Sequence, residues 1–236
     1  MKLGTLFLIP TVISETPMRF VIPEGNKEQL HDLVHFMVEK EKPARAALRN
    51  LELSHPIQEL KLYNIGKYSE SGDFESYFNP LFMGEDMGLL SDAGCPGIAD
   101  PGSKLVKLAH SFNIKVVPLV GPSSIFLALM ASGLNGQNFA FNGYLPVQDK
   151  ERAKKLRDLE MLSARTGQTQ MFIETPYRNE QMFETLKKTL RADTKLCMAV
   201  DATAQKEYIK TLPIAEWKNF THPSFHKRPC VFLIQA

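Results

Sequence analysis

Short uninterrupted blocks of apolar residues alternate along this chain with stretches in which apolar residues recur every third or fourth position. The first pattern marks buried strands and the second marks one-sided helices. Thr5–Ile9, held between Gly4 and Pro10, reads as a central strand. Residues 27–33 read as a helix, and the alternation of Val34, Phe36 and Val38 reads as a second strand, with one helix through Leu30, Leu33, Val34 and Met37 as the rival. A helix opening at Pro43, a strand over 60–65, loops at Gly66 and Gly72, and an aromatic helix over 74–82 follow. A strand then rises from Met87 and Gly88, breaks into a loop, and gives way to a helix from Ser103 carrying Leu105, Val106, Leu108 and Ala109, then a strand over 114–120.

A second series begins at Gly121-Pro122-Ser123-Ser124. Pro122 near the first helical position and the two serines open an apolar helix over 125–131. Strands over 139–144, 170–174, 196–200 and 230–234 follow, with helices over 150–162, 179–190 and 214–219 and a short piece over 208–212. The expected fold is α/β: two lobes with parallel or mixed sheets, residues 1–119 and 120–236, without internal repeats.

A chain of 236 residues that is 44% hydrophobic can bury a sizeable core. Its formal net charge of +2 imposes no chain-wide field for nucleic acid or an anionic membrane. Cys95, Cys197 and Cys230 are odd in number and far apart, which suits reduced thiols and a cytoplasmic location. The apolar run ending at Pro10 is too short for a signal peptide or a span, so no membrane partner is expected.

The phosphate-loop, dinucleotide-loop, zinc-protease and Cys-x-x-Cys signatures are all missing. His31 with His35, and His222 with His226, have metal-like spacing, but no acid or thiol frames them and they read as solvent-facing; no metal is expected. Two basic sets, Lys40, Lys42, Arg45 and Arg49, then Lys150, Arg152, Lys154, Lys155 and Arg157, fit either phosphate contact or the wet faces of amphipathic helices.

The loop Ser91-Asp92-Ala93-Gly94-Cys95-Pro96-Gly97-Ile98-Ala99-Asp100-Pro101-Gly102 is the first place to seek a site, because small residues at a strand end let backbone approach a ligand. In order with Pro10-Thr11, Gly121-Pro122, Gly143-Tyr144-Leu145-Pro146 and Phe172-Ile173-Glu174, this loop resembles the tetrapyrrole methylase superfamily of S-adenosylmethionine-dependent methyltransferases. Within it the chain is most similar to the ribosomal RNA small-subunit methyltransferase I branch, which methylates a cytidine ribose 2′-oxygen. Two segments depart from that branch: Val12-Ile13-Ser14-Glu15 replaces a Pro-x-Gly-Asn turn, and Val200-Asp201-Ala202-Thr203-Ala204 replaces Arg-Glu-Leu-Thr-Lys.

The resemblance implies S-adenosylmethionine in a cleft between the lobes, a homodimer, and ribosomal RNA or a small-subunit particle as partner. It assigns the cofactor to Pro10, Asp92, Ala93, Gly94, Cys95, Ile98, Ser123, Ser124, Phe172, Ile173, Glu174, Pro229 and Cys230. For a hydroxyl acceptor a base helps, and Glu39, Glu41, Asp92 and Asp201 are the candidate carboxylates, though each reads more readily as a cap, a surface charge or a buried acceptor. A tetrapyrrole or other small acceptor, and a cofactor-binding regulatory protein without activity, are the alternatives.

Overall fold

In a computed structural model of the chain, described over residues 2–66 and 74–236, the fold divides into two compact units, Met1–Ser123 and Ser124–Ala236. The loop expected at Gly72 lies outside the described residues. The first unit runs β1 (Thr5–Ile9), α1 (Glu24–Leu30), β2 (His35–Val38), α2 (Glu41–Leu48), β3 (Lys61–Asn64), α3 (Asn79–Phe82), β4 (Met87–Leu90), α4 (Gly102–Ser111) and β5 (Lys115–Pro118). Its sheet has the order β3-β2-β4-β1-β5, and every pairing is parallel. The strand reading of residues 34–38 prevails over the single helix because β2 lies inside this sheet with all its residues buried, the setting in which parallel strands read as continuous apolar runs. The aromatic stretch before β4 opens as a 3-10 turn, Glu75–Phe78, and becomes α-helical only at Asn79.

Parallel pairing puts the carboxyl ends of all five strands on one edge. Ile9, Phe36, Val38 and Leu90 pack on one face with Leu30 of α1 and Leu48 of α2. Leu6, Met37, Met87 and Leu89 pack on the other with Phe78 and with Leu105 and Ala109 of α4. The chain therefore leaves β1 toward one face and leaves the neighbouring β4 toward the opposite one. That divergence defines the switch point at which open α/β sheets bind ligands.

The second unit runs α5 (Ser124–Ser132), β6 (Phe139–Tyr144), α6 (Asp149–Thr166), β7 (Thr169–Ile173), α7 (Asn179–Thr189), β8 (Lys195–Val200), β9 (Tyr208–Pro213), α8 (Ile214–Trp217) and β10 (Cys230–Gln235). Its sheet, β6-β7-β10-β8-β9, is mixed: only β6 and β7 are parallel, and the last strand is inserted between β7 and β8. Phe172 stacks on Phe232 across that insertion, and buried Trp217 donates its indole N–H to the Leu196 carbonyl at 2.9 Å. Helix α5 begins at Ser124, so Pro122 precedes the helix instead of opening it.

Two surface expectations are corrected. Arg152 is 1% exposed, not part of a wet basic face, because it shares its stripe of α6 with Leu156, Leu159 and Ser163; it donates to the Val147 carbonyl at 2.8 Å and pairs with Asp149. His35 is likewise not solvent-facing: it sits in β2, with Nδ1 2.9 Å from the Tyr63 hydroxyl and Nε2 3.0 Å from Glu85. His31 follows α1, so the pair never shares a helical face. Among the described residues no helix is long and apolar enough to cross a membrane.

Candidate functional site

The switch point is tied together by the loop that follows β4. Glu39, just beyond β2, accepts the Ser91 hydroxyl at 3.1 Å and the Asp92 backbone N–H at 2.9 Å through one carboxylate oxygen. Lys40 pairs with Asp92, and that contact raises the lysine pKa, so the ammonium stays charged. From β1, the Thr11 N–H donates to the Gly94 carbonyl at 2.9 Å, and its hydroxyl donates to the Ser91 carbonyl at 3.2 Å. Asp100 closes the far side by accepting the N–H groups of Gly97 and Gly102 at 2.6 and 2.8 Å, which sets the start of α4.

Two glycines are dictated by this arrangement. Gly94 has φ +74°, and a Cβ there would stand 3.2 Å from Ile13 Cγ2. A Cβ at Gly121 would meet the Pro10 ring at 2.2 Å, so the 121–122 turn rests directly on the end of β1. The Cys95 thiol reaches the Pro122 carbonyl at 3.4 Å. Pro10, residues 91–98 and Gly121-Pro122 are thus one continuous assembly.

Its chemistry fits a sulfonium-bearing nucleoside. Residues 93–98 and 121–124 contain no Lys or Arg, so the lining offers carbonyls and small apolar groups without repelling a cation. Ile98 is 53% exposed and presents an apolar surface suited to a heterocycle. Burial pushes the Cys95 thiol up, which makes it a neutral wall and not a thiolate nucleophile.

The candidates in the second unit also gather on one sheet edge. Strands β7 and β8 both end there, and β10, antiparallel to each, begins there. The Phe172 side chain is in the core, Ile173 is half-buried, and the buried Cys230 thiol is held neutral by desolvation, so the side chains at 172 and 230 are not available to a ligand. Glu174 is buried, and one of its oxygens accepts both the Thr175 N–H and Arg178, each at 2.6 Å. The exposed Pro229 accepts the Asp201 N–H at 2.9 Å.

The four carboxylates separate. Glu39 and Asp92 come together at the switch point; Glu41 turns to Arg45 on α2 at 3.6 Å; Asp201 pairs with Arg228 at 2.7 Å in the second unit. Arg228 was not anticipated. It lies just before Pro229 in an irregular segment whose pattern carries no signal, yet it places a guanidinium against Asp201 in the 200–204 segment, which has no basic residue of its own. Asp201 and Thr203 there adopt left-handed φ of +47° and +73°. Ser123 ends the first unit and Ser124 opens α5; both are half-buried. No cluster of metal-ligating side chains occurs among the described residues.

The Tetrapyrrole (Corrin/Porphyrin) Methylases family profile matches residues 32–218. The chain belongs to this family. Its members are methyltransferases that take the methyl group from S-adenosylmethionine, and the chain is a methyltransferase of that type. It is 30% identical, over its whole length and 79% of the relative's, to a Buchnera aphidicola protein named ribosomal RNA small subunit methyltransferase I. A Pseudomonas aeruginosa protein of the same name is 27% identical over 99% of this chain and 79% of its own. A Vibrio cholerae protein, again so named, is 33% identical over 70% of this chain, a match that spans only 56% of that relative's length. Among solved structures, the methyltransferase CobJ superposes with a TM-score of 0.62 at 16% identity, covering 98% of this chain and 94% of that one, which shows a shared fold.

Proposed function

We propose that the chain methylates a ribose 2′-oxygen of small-subunit ribosomal RNA, acting in the cytoplasm as a homodimer. The observation that supports this reading is the similarity, over this whole chain and 79% of the relative, to the Buchnera protein of that name, with the β4 loop bridged to Thr11 at the switch point. When bound, the donor supplies an electrophilic methyl group on a positively charged sulfur. The backbone of Ala93, Gly94 and Cys95, with Pro10 and Ile98, holds and orients it. Ser123, Ser124, the 172–174 strand end and Pro229-Cys230 are assigned to the same donor as separate claims, each open to its own substitution.

Methyl transfer is an in-line displacement, and holding the acceptor oxygen against the methyl supplies most of the acceleration. Asp92, half-exposed and anchored by Lys40, is the carboxylate placed to take the hydroxyl proton, whereas Glu39 is occupied in positioning the loop. The test is a labelled-methyl assay on small-subunit particles from a strain lacking the gene. Label recovered as a 2′-O-methylated nucleoside after nuclease digestion supports the reading. Particles left unlabelled by a protein that binds S-adenosylhomocysteine overturn the RNA acceptor and favour a small molecule or a regulatory role.

A further inference from the structure

Beside the donor loop, on the α1 and α2 side of the switch point, lies a cavity of about 550 Å³ that shares Asp92 with the site described above. Thr11, Val12 and Asp92 are among its lining, so it adjoins that loop directly. Its size lies within the range of about 300–1,000 Å³ of small-ligand pockets, enough for one nucleotide unit.

The charges of this cavity do not cancel. Glu52 is paired with Lys27 at 2.6 Å, and Asp92 is paired with Lys40, so both acids of the lining are already neutralised. Arg19 and Arg49 also line it, and among the described residues neither guanidinium has an ion pair. Two planar cations without counter-charges, over an apolar floor of Met18, Pro43 and Ala47, match a phosphodiester carrying a sugar and a base. Just outside, Phe20 is 69% exposed with the Arg19 guanidinium carbon 5.0 Å over its ring. An exposed aromatic interleaved with arginine is the platform on which single-stranded bases stack.

We propose that this cavity is the acceptor subsite: Arg19 and Arg49 clamp the phosphates flanking the reacting ribose, and Phe20 stacks the neighbouring base of an unpaired RNA strand. The proposal rests on the RNA reading above and adds the residues that recognise the strand.

It is tested by fluorescence anisotropy with a single-stranded, cytidine-containing ribo-oligonucleotide of about 12 nucleotides, titrated at several salt concentrations. Arg19→Ala and Arg49→Ala are each expected to weaken binding about tenfold and to lower the salt slope by roughly 0.7 per lost phosphate contact. Arg49→Lys should recover part of the loss, and Phe20→Ala should weaken binding without changing the slope. S-Adenosylhomocysteine affinity, measured on the same preparations, should not move, which also certifies the fold. Wild-type affinity and slope in both arginine variants overturn the subsite and leave the RNA reading standing. A wild-type protein that binds neither the oligonucleotide nor small-subunit particles overturns both.

Discussion

Replacing Glu39 with Ala removes the acceptor that holds the start of the β4 loop. The carboxylate takes one hydrogen bond from the Ser91 hydroxyl at 3.1 Å and one from the Asp92 N–H at 2.9 Å. Hydrogen bonds to an ionised acceptor contribute about 1.5–3 kcal/mol each when buried. Glu39 is only half-buried and water replaces part of what is lost, so a total of about 2 kcal/mol is expected. At roughly 2–4 °C per kcal/mol for a chain of this size, Tm should fall by about 4–8 °C. A loop that must be ordered on binding should also weaken S-adenosylhomocysteine by about fivefold, the equivalent of roughly 1 kcal/mol. Differential scanning calorimetry and isothermal titration measure the two effects, with Glu39→Gln expected to fall between wild type and Glu39→Ala. An unchanged Tm and unchanged affinity, with activity lost, would make Glu39 a base and refute its positioning role.

Three further outcomes follow from buried groups. Burial lowers the His35 pKa despite the opposing charge of Glu85, so the folded chain prefers the neutral imidazole. Stability is then complete above about pH 6.5, the ordinary histidine value, and declines as pH falls below it; Tm measured from pH 7.5 to 5.5 should drop more in wild type than in His35→Leu, and parallel curves would contradict this. Arg152→Ala strips a buried stem and orphans the Val147 carbonyl, a loss of about 2–3 kcal/mol; a Tm within 1 °C of wild type would show the contact to be idle. Alkylation of the native protein near pH 8 should modify Cys95 first, because desolvation pushes Cys197 up to about 11 and Cys230 well above the ordinary thiol range. Early modification at Cys197 or Cys230 by mass spectrometry would contradict their burial, and protection of Cys95 by S-adenosylhomocysteine is expected.

The β4 loop was legible because its constraint is local: small residues and prolines that end an apolar run leave few conformations, and Gly94 and Gly121 sit where a Cβ collides or φ turns positive. The strand-helix alternation of the first unit was legible for the same reason, each element having its own period. Strand order was not. That β1 lies beside β4, and that β10 inserts between β7 and β8, depends on pairings between segments far apart in sequence. The switch point, and with it the reason the loop is a site at all, therefore appears only in three dimensions. Arg152 and His35 were misread because charge type was weighed above position: one lies on an apolar stripe and the other inside a strand. Arg228, and the grouping of Arg19, in a 3-10 turn before α1, with Arg49, just past the end of α2, arise from tertiary contacts with no pattern along the chain.

The central claim is that the loop from Ser91 to Ile98 holds a methyl donor. Isothermal titration of the wild-type chain with S-adenosylhomocysteine, beside Gly94→Leu, tests it most directly. One ligand per chain for wild type, and no measurable heat from a Gly94→Leu protein with a native circular-dichroism spectrum, is the predicted result; equal affinities in the two proteins, or no binding by well-folded wild type, would contradict it.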